Sequence, residues 1–223
     1  MRKSILSKEW IKLRRIYPLI CLAILLVTLY ILLRIGRMVL FGGAEMVWRS
    51  ILEQNIILVE KLRFLPLCVG VLLGLMQFIP EMTQNRIKLT LHLPYSRHGM
   101  ILWMTGIGTT LFVIPFLVQL IVMWGVLRYI FAPELVTHIL LTILPWYLVG
   151  IISYLQTVWI IIEPTWRGRL YNIMITGTVI YLSFMSSYPR SYDTMLPWMI
   201  LLVLCSLFYP LYSTERFRSG YQD

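Results

Sequence analysis

One stretch of the sequence concentrates polar side chains that could contact a partner: Pro80 to Gly99, which reads PEMTQNRIKLTLHLPYSRHG. Helical spacing would place Met82, Leu89 and Leu93 on one face of this stretch and its polar side chains on the opposite face. Pro94 would end such a helix, because proline disfavours helical backbone in the residue before it. A helix with two such faces is suited to docking on another protein. Its polar face comprises Glu81, Gln84, Asn85, Lys88 and His92.

No catalytic or metal-binding pattern accompanies this stretch. His92, His98 and His138 are scattered, and neither a His-Glu-x-x-His nor a Gly-x-Ser-x-Gly pattern occurs. The three cysteines lie in apolar stretches without metal-ligand spacing. A phosphate-binding Gly-x-x-x-x-Gly-Lys-Ser/Thr loop is also absent from the sequence. The sequence therefore predicts no catalytic residue, no metal site and no cofactor site in this chain, and it disfavours a membrane enzyme.

The composition indicates a helical membrane protein. Of the 223 residues, 59% are hydrophobic and 13% are charged, and the mean hydropathy is +0.77. The charged share is about half that of an ordinary globular protein, too small to cover a soluble surface. The net charge of +10 comes from short basic clusters between apolar runs. Such clusters orient a membrane protein, so we expect lipid and not nucleic acid as the partner of these charges.

Six segments are long and apolar enough for a membrane crossing, which takes about 20 residues. We therefore predict an all-α fold in which 1–223 form a single transmembrane domain. Residues 1–16 are predicted as an amphipathic interfacial helix, although an extension of the first span is a close alternative. Residues 81–99 are predicted as the loop between the second and third spans. The predicted spans are 17–40, 64–80, 100–128, 139–162, 170–186 and 196–212.

The amphipathic pattern at the N-terminus is that of a helix lying flat on a membrane, with basic side chains toward anionic lipid. Pro18 favours a break between this helix and the first span. The apolar arc consists of Ile5, Leu6, Trp10, Leu13 and Ile16, while Lys8, Lys12, Arg14 and Arg15 lie largely elsewhere.

The distribution of basic residues predicts the orientation. Six crossings would place both termini on one side of the membrane. That side receives most of the 20 lysines and arginines, whereas the opposite side is nearly balanced in charge. Because Lys and Arg are enriched in short cytoplasmic loops, we expect both termini to be cytoplasmic in a multi-pass protein of the inner (plasma) membrane.

Polar side chains inside the predicted spans have two interpretations. Gln77, Gln119 and Gln156 could join helices by hydrogen bonds, or they could line a pathway for a polar substrate. The second span also carries a Gly-x-x-x-Gly pair, a spacing that permits close approach of a helix from the same or another subunit. Glu163 closes the fourth span, and we expect it to pair locally with Arg167 or Arg169.

The acidic residue that closes the second span, the helical stretch after it and Leu-Pro-Tyr-Ser-Arg at 93–97 resemble the permease subunits of type 2 ABC transporters. The basic N-terminal helix, the six-span layout and the tail at 215–220 fit the same family, so the resemblance covers most of the chain. In that family this loop contains a coupling helix that fits a cleft in the ATPase. The resemblance thus assigns ATPase binding to Glu81, Gln84, Asn85, Lys88, His92, Pro94, Ser96 and Arg97.

The same resemblance implies the partners of a transporter permease. The ATPase, with its ATP and Mg, would be a separate polypeptide, and a second permease copy, identical or related, would complete the membrane part. One departure concerns the connection between the fifth and sixth spans. Many family members have a larger external segment there, whereas only 187–195 are available here. The alternative is a membrane subunit that anchors or assembles a larger complex without transporting anything.

Overall fold

The protein is predominantly helical in the part of the chain that its computed structural model describes, residues 2–52, 56–83, 97–186 and 188–218, in which no strand occurs. Short 3-10 turns at Glu60–Leu62 and Asp193–Met195 precede two of the helices. This architecture confirms the predicted all-α class. In chain order the helices are α1 (Arg2–Leu13), α2 (Tyr17–Leu52), α3 (Leu65–Thr83), α4 (Arg97–Ile130), α5 (Pro133–Ile162), α6 (Trp166–Ser183), α7 (Leu196–Ser206) and α8 (Tyr209–Arg218).

Five segments of the described chain are long and apolar enough to cross a membrane, as a multi-pass membrane protein requires. The predicted fifth span, 170–186, is not among them. It falls in α6, which has 18 residues and carries Arg167 and Arg169 in its first turn. Six spans therefore stay a prediction. The five segments are Tyr17–Gly43, Glu60–Thr83, Gly99–Ile130, Pro133–Ile162 and Asp193–Arg216.

The N-terminal helix is separate from the first span. A turn at 14–16 ends α1, and α2 begins one residue before Pro18, as the position of this proline predicts. Within α2 the helix breaks at Gly43, whose φ of 76° is accessible to glycine without strain. Beyond the break the chain turns back onto the bundle and buries Val47 and Ile51. The predicted end of the first span, at residue 40, thus lies close to a real break.

The central helix is α5, and its closest contact is with α3. A Cβ atom added to Gly70 would lie 2.2 Å from the carbonyl oxygen of Gly150, and one added to Gly74 would lie 3.0 Å from Cβ of Thr157. The residue numbers of the contacting positions increase in the same direction along both helices, so α3 and α5 run parallel. The Gly-x-x-x-Gly spacing therefore does permit close approach, as predicted, and the contact lies within one chain.

Each of the three buried glutamines in the spans joins three helices, which favours the packing interpretation of these residues. Gln77 of α3 donates to the carbonyl oxygen of Met104 in α4 over 2.8 Å and accepts from the Tyr154 hydroxyl of α5 over 2.7 Å. In a hydrocarbon environment such bonds replace those that water cannot supply. The other two triads are Thr28–Gln119–Tyr147, joining α2, α4 and α5, and Thr176–Gln156–Ser206, joining α6, α5 and α7.

The helix α6 runs back along α5. It starts directly after α5, and its Thr176 donates to Gln156 of α5 over 3.2 Å. Its far end lies near the start of α3, because the guanidinium of Arg63, two residues before α3, donates to the carbonyl oxygens of Phe184 and Ser186, just after α6. The helix therefore extends from the end of α5 to the depth at which α3 begins.

The last two helices run opposite to α6, in the same direction as α5. Ser206, at the end of α7, lies beside Gln156, and Arg216 of α8 pairs with Glu163 at the end of α5. Because Gly74 lies beside Thr157 and α3 parallels α5, Glu81 reaches about the same depth as Glu163. Both termini thus meet the bundle at one end. We call it the basic end, and its cations include Lys8, Lys12, Arg169 and Arg216.

Filling the α3–α5 contact should destabilise the protein. In Gly70→Val the added side chain meets backbone atoms of α5 that cannot move aside, so we expect a loss of about 3 kcal/mol in the free energy of unfolding. Gly36→Val is the control, because a Cβ atom there meets nothing within 4 Å. Unfolding by denaturant in detergent micelles measures both. Equal stability of the two variants would contradict the close contact.

Candidate partner-binding site at the basic end

Glu81, the one predicted site residue whose side chain the structure describes, is buried and holds α1. It lies in the last turn of α3. Its Oε1 atom is 2.9 Å from Nζ of Lys8 and 2.5 Å from Nζ of Lys12. Lys12 also pairs with Glu9 over 2.8 Å, so two carboxylates and two ammonium groups neutralise one another. A buried carboxylate without such partners would be strongly destabilising.

This arrangement corrects the expected orientation of α1. Lys8 and Lys12 were expected to face lipid headgroups, but both point to Glu81, since that carboxylate is fixed beside them by α3. Glu9 and Leu13, four residues apart, are buried on the side of α1 that faces the bundle. Sequence reasoning missed Glu9. The only feature of the sequence that indicates burial of Glu9 is its spacing of four residues from Leu13. A charged residue is normally assigned to the solvent side of a helix, even with this spacing.

A second buried carboxylate, Glu163, holds α8. Its Oε1 atom is 2.9 Å from the Arg216 guanidinium, and its Oε2 atom accepts from the Ser213 hydroxyl over 2.5 Å. Of the two expected local partners, Arg169 contacts this residue through the main chain, donating to the Glu163 carbonyl oxygen over 2.7 Å. The carboxylate itself is turned toward α8. The pairing with Arg216 was not predicted, because the two residues are 53 positions apart in the sequence.

The turn between α5 and α6 shapes the site of Glu163. Thr165 caps α6 by accepting from the backbone N–H of Gly168 over 3.2 Å, and its hydroxyl donates to the Glu163 carboxylate over 3.2 Å. A Cβ atom at Gly168 would lie 2.5 Å from Oε1 of Glu163. Only glycine at this position leaves room for the carboxylate.

The remaining predicted site residues lie between these anchors in sequence. The segment 84–96 is outside the described residues. Thr83, the residue directly before this segment, is the last residue of α3, and Arg97, the residue directly after it, is the first residue of α4. Their assignment to partner binding stays a prediction. The predicted residues outside the described part are Gln84, Asn85, Lys88, His92, Pro94 and Ser96.

The chemistry available at the basic end is ion pairing and hydrogen bonding. In the described part of the chain, no three side chains of His, Cys, Asp or Glu are placed so that they could hold a metal ion. The two carboxylates lie at the ends of the two helices in closest contact, α3 and α5. Each binds one terminal helix, so that the N-terminal and C-terminal segments are attached to the same rigid pair.

Removing either carboxylate should release its own terminal helix. In Glu81→Gln we expect amide hydrogen exchange in α1 to accelerate at least tenfold with α8 unchanged, and in Glu163→Gln the reverse, because each loses charged hydrogen bonds worth about 1.5–3 kcal/mol. Exchange measured by mass spectrometry in micelles tests this, and each variant is the control for the other. A similar increase in both helices in both variants would mean general destabilisation and no separate anchors.

Comparisons with protein-family models, with curated proteins and with solved structures gave no match to this chain. The function of the chain is therefore inferred from the geometry of the basic end and from the residues that resemble a permease. These are Glu81 and the segment that follows it as far as Arg97.

Proposed function

We propose that this chain is the membrane-spanning permease subunit of an ATP-driven transporter of the type 2 ABC class. A separate ATPase subunit would bind ATP and Mg and would contact the segment 84–97. The observation that supports the proposal is the position of the two helices that flank this segment. The helix before it, α3, ends two residues after Glu81, which is buried and paired with α1, and the helix after it, α4, begins at Arg97.

A force on this segment would reach most of the bundle. It would act on the end of α3 and the start of α4 directly, and on α1 through Glu81. Gly70 brings the backbone of α3 against α5, and the Gln77 triad binds α3, α4 and α5 together. These helices would therefore move as one body. In this mechanism Glu81 positions the base of the segment, while the residues after it contact the ATPase.

The proposal includes six crossings, with α6 as the fifth. An 18-residue helix is about 27 Å long, close to the 30 Å of a bilayer core. The bonds of Thr176 and Arg63 support a crossing, because they join α6 to α5 at mid-depth and to the start of α3 at its far end. Six crossings would put both termini at the basic end, on the cytoplasmic side by the distribution of positive charge.

The outward face of α6 supports pairing with a second permease copy. This face exposes Thr178 beside the larger side chains of Tyr171, Met174 and Tyr181, and a Cβ atom at Gly177 would meet nothing within 4 Å. The helix is less apolar than the five segments that qualify as spans. Small and polar residues on one side of a membrane helix are typical of helix–helix contacts. A second copy would cover this face better than lipid would.

The six-span topology can be tested by labelling single cysteines in a background without Cys21, Cys68 and Cys205. We expect Arg167→Cys to react with an impermeant maleimide only from the cytoplasmic side, and Tyr188→Cys only from the opposite side, since both side chains are exposed at opposite ends of α6. Sealed vesicles of both orientations provide the comparison. Reaction of the two from the same side would show that α6 does not cross.

Partner binding can be tested by affinity purification in mild detergent with mass spectrometry and an ATPase assay. We expect a P-loop ATPase to co-purify, and Arg97→Ala to reduce the amount retained at least tenfold, because truncating one charge of a buried pair at an interface costs about 2–5 kcal/mol. Arg128→Ala is the matched control, since Arg128 lies in the last turn at the opposite end of α4.

Two outcomes would count against the permease. An intact complex without any ATPase would favour the anchoring role. Equal loss of the ATPase in both arginine variants would mean that the segment 84–97 is not its binding site.

A further inference from the structure

A groove of about 640 Å³ runs between α1 and α4 and is not used by the proposed function. Leu6 and Trp10 of α1 form one wall. The other wall is a stripe along one face of α4, with residues at intervals of three or four positions. The stripe includes Gly99, Trp103, Gly106, Thr110 and Ile114.

The groove has the depth of one leaflet. From Gly99 to Ile114 it extends about 22 Å along α4, beginning at the basic end. The candidate span of α4 is Gly99–Ile130, so the groove ends near its midpoint. Half of a bilayer core is about 15 Å, and the headgroup region adds the rest. The molecules present at this depth are the lipids of the leaflet that contacts α1.

The groove is lined almost entirely by apolar side chains and glycines, and Thr110 is the one described lining residue that carries a hydroxyl. The space depends on Gly106, where an added Cβ atom would meet nothing within 4 Å. By contrast, a Cβ atom at Gly108 would collide with Tyr154 inside the bundle. A thin, flexible, apolar chain fits this shape.

Positive charge lies beside the wall of the groove that α1 forms. The backbone N–H of Arg14 donates to the carbonyl oxygen of Trp10, which puts Arg14 one helical turn beyond Trp10 on the same face. Arg14 and Arg15 are both exposed. Glu9 and Glu81 pair with Lys8 and Lys12, and among the described residues no carboxylate forms an ion pair with either arginine. Guanidinium groups bind phosphate in bidentate geometry.

We propose that this groove binds one anionic phospholipid, with an acyl chain along the stripe from Gly99 to Ile114 and its phosphate at Arg14 and Arg15. The bound lipid would fill the space between α1 and α4 and hold α1 against the bundle together with Glu81. The inference requires that the chain spans the membrane. It does not require an ATPase, so it can hold where the permease proposal fails.

The test uses the full chain in nanodiscs of phosphatidylcholine that contain a trace of phosphatidylglycerol with a photoreactive diazirine in its acyl chain. We expect labelling of the 99–114 peptide to be at least fivefold stronger than with the same diazirine on phosphatidylcholine. Gly106→Leu should reduce this labelling at least tenfold. Gly125→Leu is the matched control, because Gly125 lies on the same helix, outside the groove, and also has open space at its Cβ position.

Further variants separate the headgroup from the chain. Arg14→Gln combined with Arg15→Gln should remove the preference for phosphatidylglycerol while the acyl chain still labels the stripe. Thr110→Leu fills the same groove and replaces Gly106→Leu where that variant does not fold. Equal labelling of the two glycine variants would mean ordinary boundary lipid and would overturn the proposal. A disulfide between two chains carrying Trp103→Cys would also overturn it, since a second copy would then occupy the groove.

Discussion

The contact between α3 and α5 is the constraint on which the other helices depend. Gly70 lies against the Gly150 carbonyl, and any larger side chain there would force the two helices apart. Hydrophobic burial alone does not drive helices together in lipid, so close backbone approach and hydrogen bonds between helices carry the packing. The three glutamine triads add such bonds around α5, and each one extends the central pair to further helices.

The terminal helices are attached to this pair by charge. Glu81 and Glu163 are both buried and end neighbouring parallel helices, and each takes its cation from a helix that is distant in sequence. A buried ion pair contributes little net stability compared with apolar packing, but losing one partner is costly. The pairs therefore specify where α1 and α8 lie. As a result, one end of the bundle holds both anchors and the base of the segment 84–96.

The two proposals concern different parts of this end. The permease proposal places the ATPase on the segment that connects α3 to α4. The lipid proposal uses the opposite flank of α1, where Leu6 and Trp10 face α4 across an open groove. The helix α1 takes part in both, since Lys8 and Lys12 bind Glu81 on one side while the groove lies on the other. A lipid and a protein partner could act on α1 at the same time.

The sequence by itself determined the properties that are local or depend on composition. Apolar runs predicted the helices and five of the crossing segments, Pro18 predicted the break after α1, and the Gly-x-x-x-Gly spacing predicted a close helix contact. Only the tertiary structure decided the partners of Glu81 and Glu163, the role of Glu9 and the course of α6. The reason is physical: Lys8 and Glu81 are 73 positions apart, and a charge selects its partner by distance in space, which periodicity along one helix does not contain.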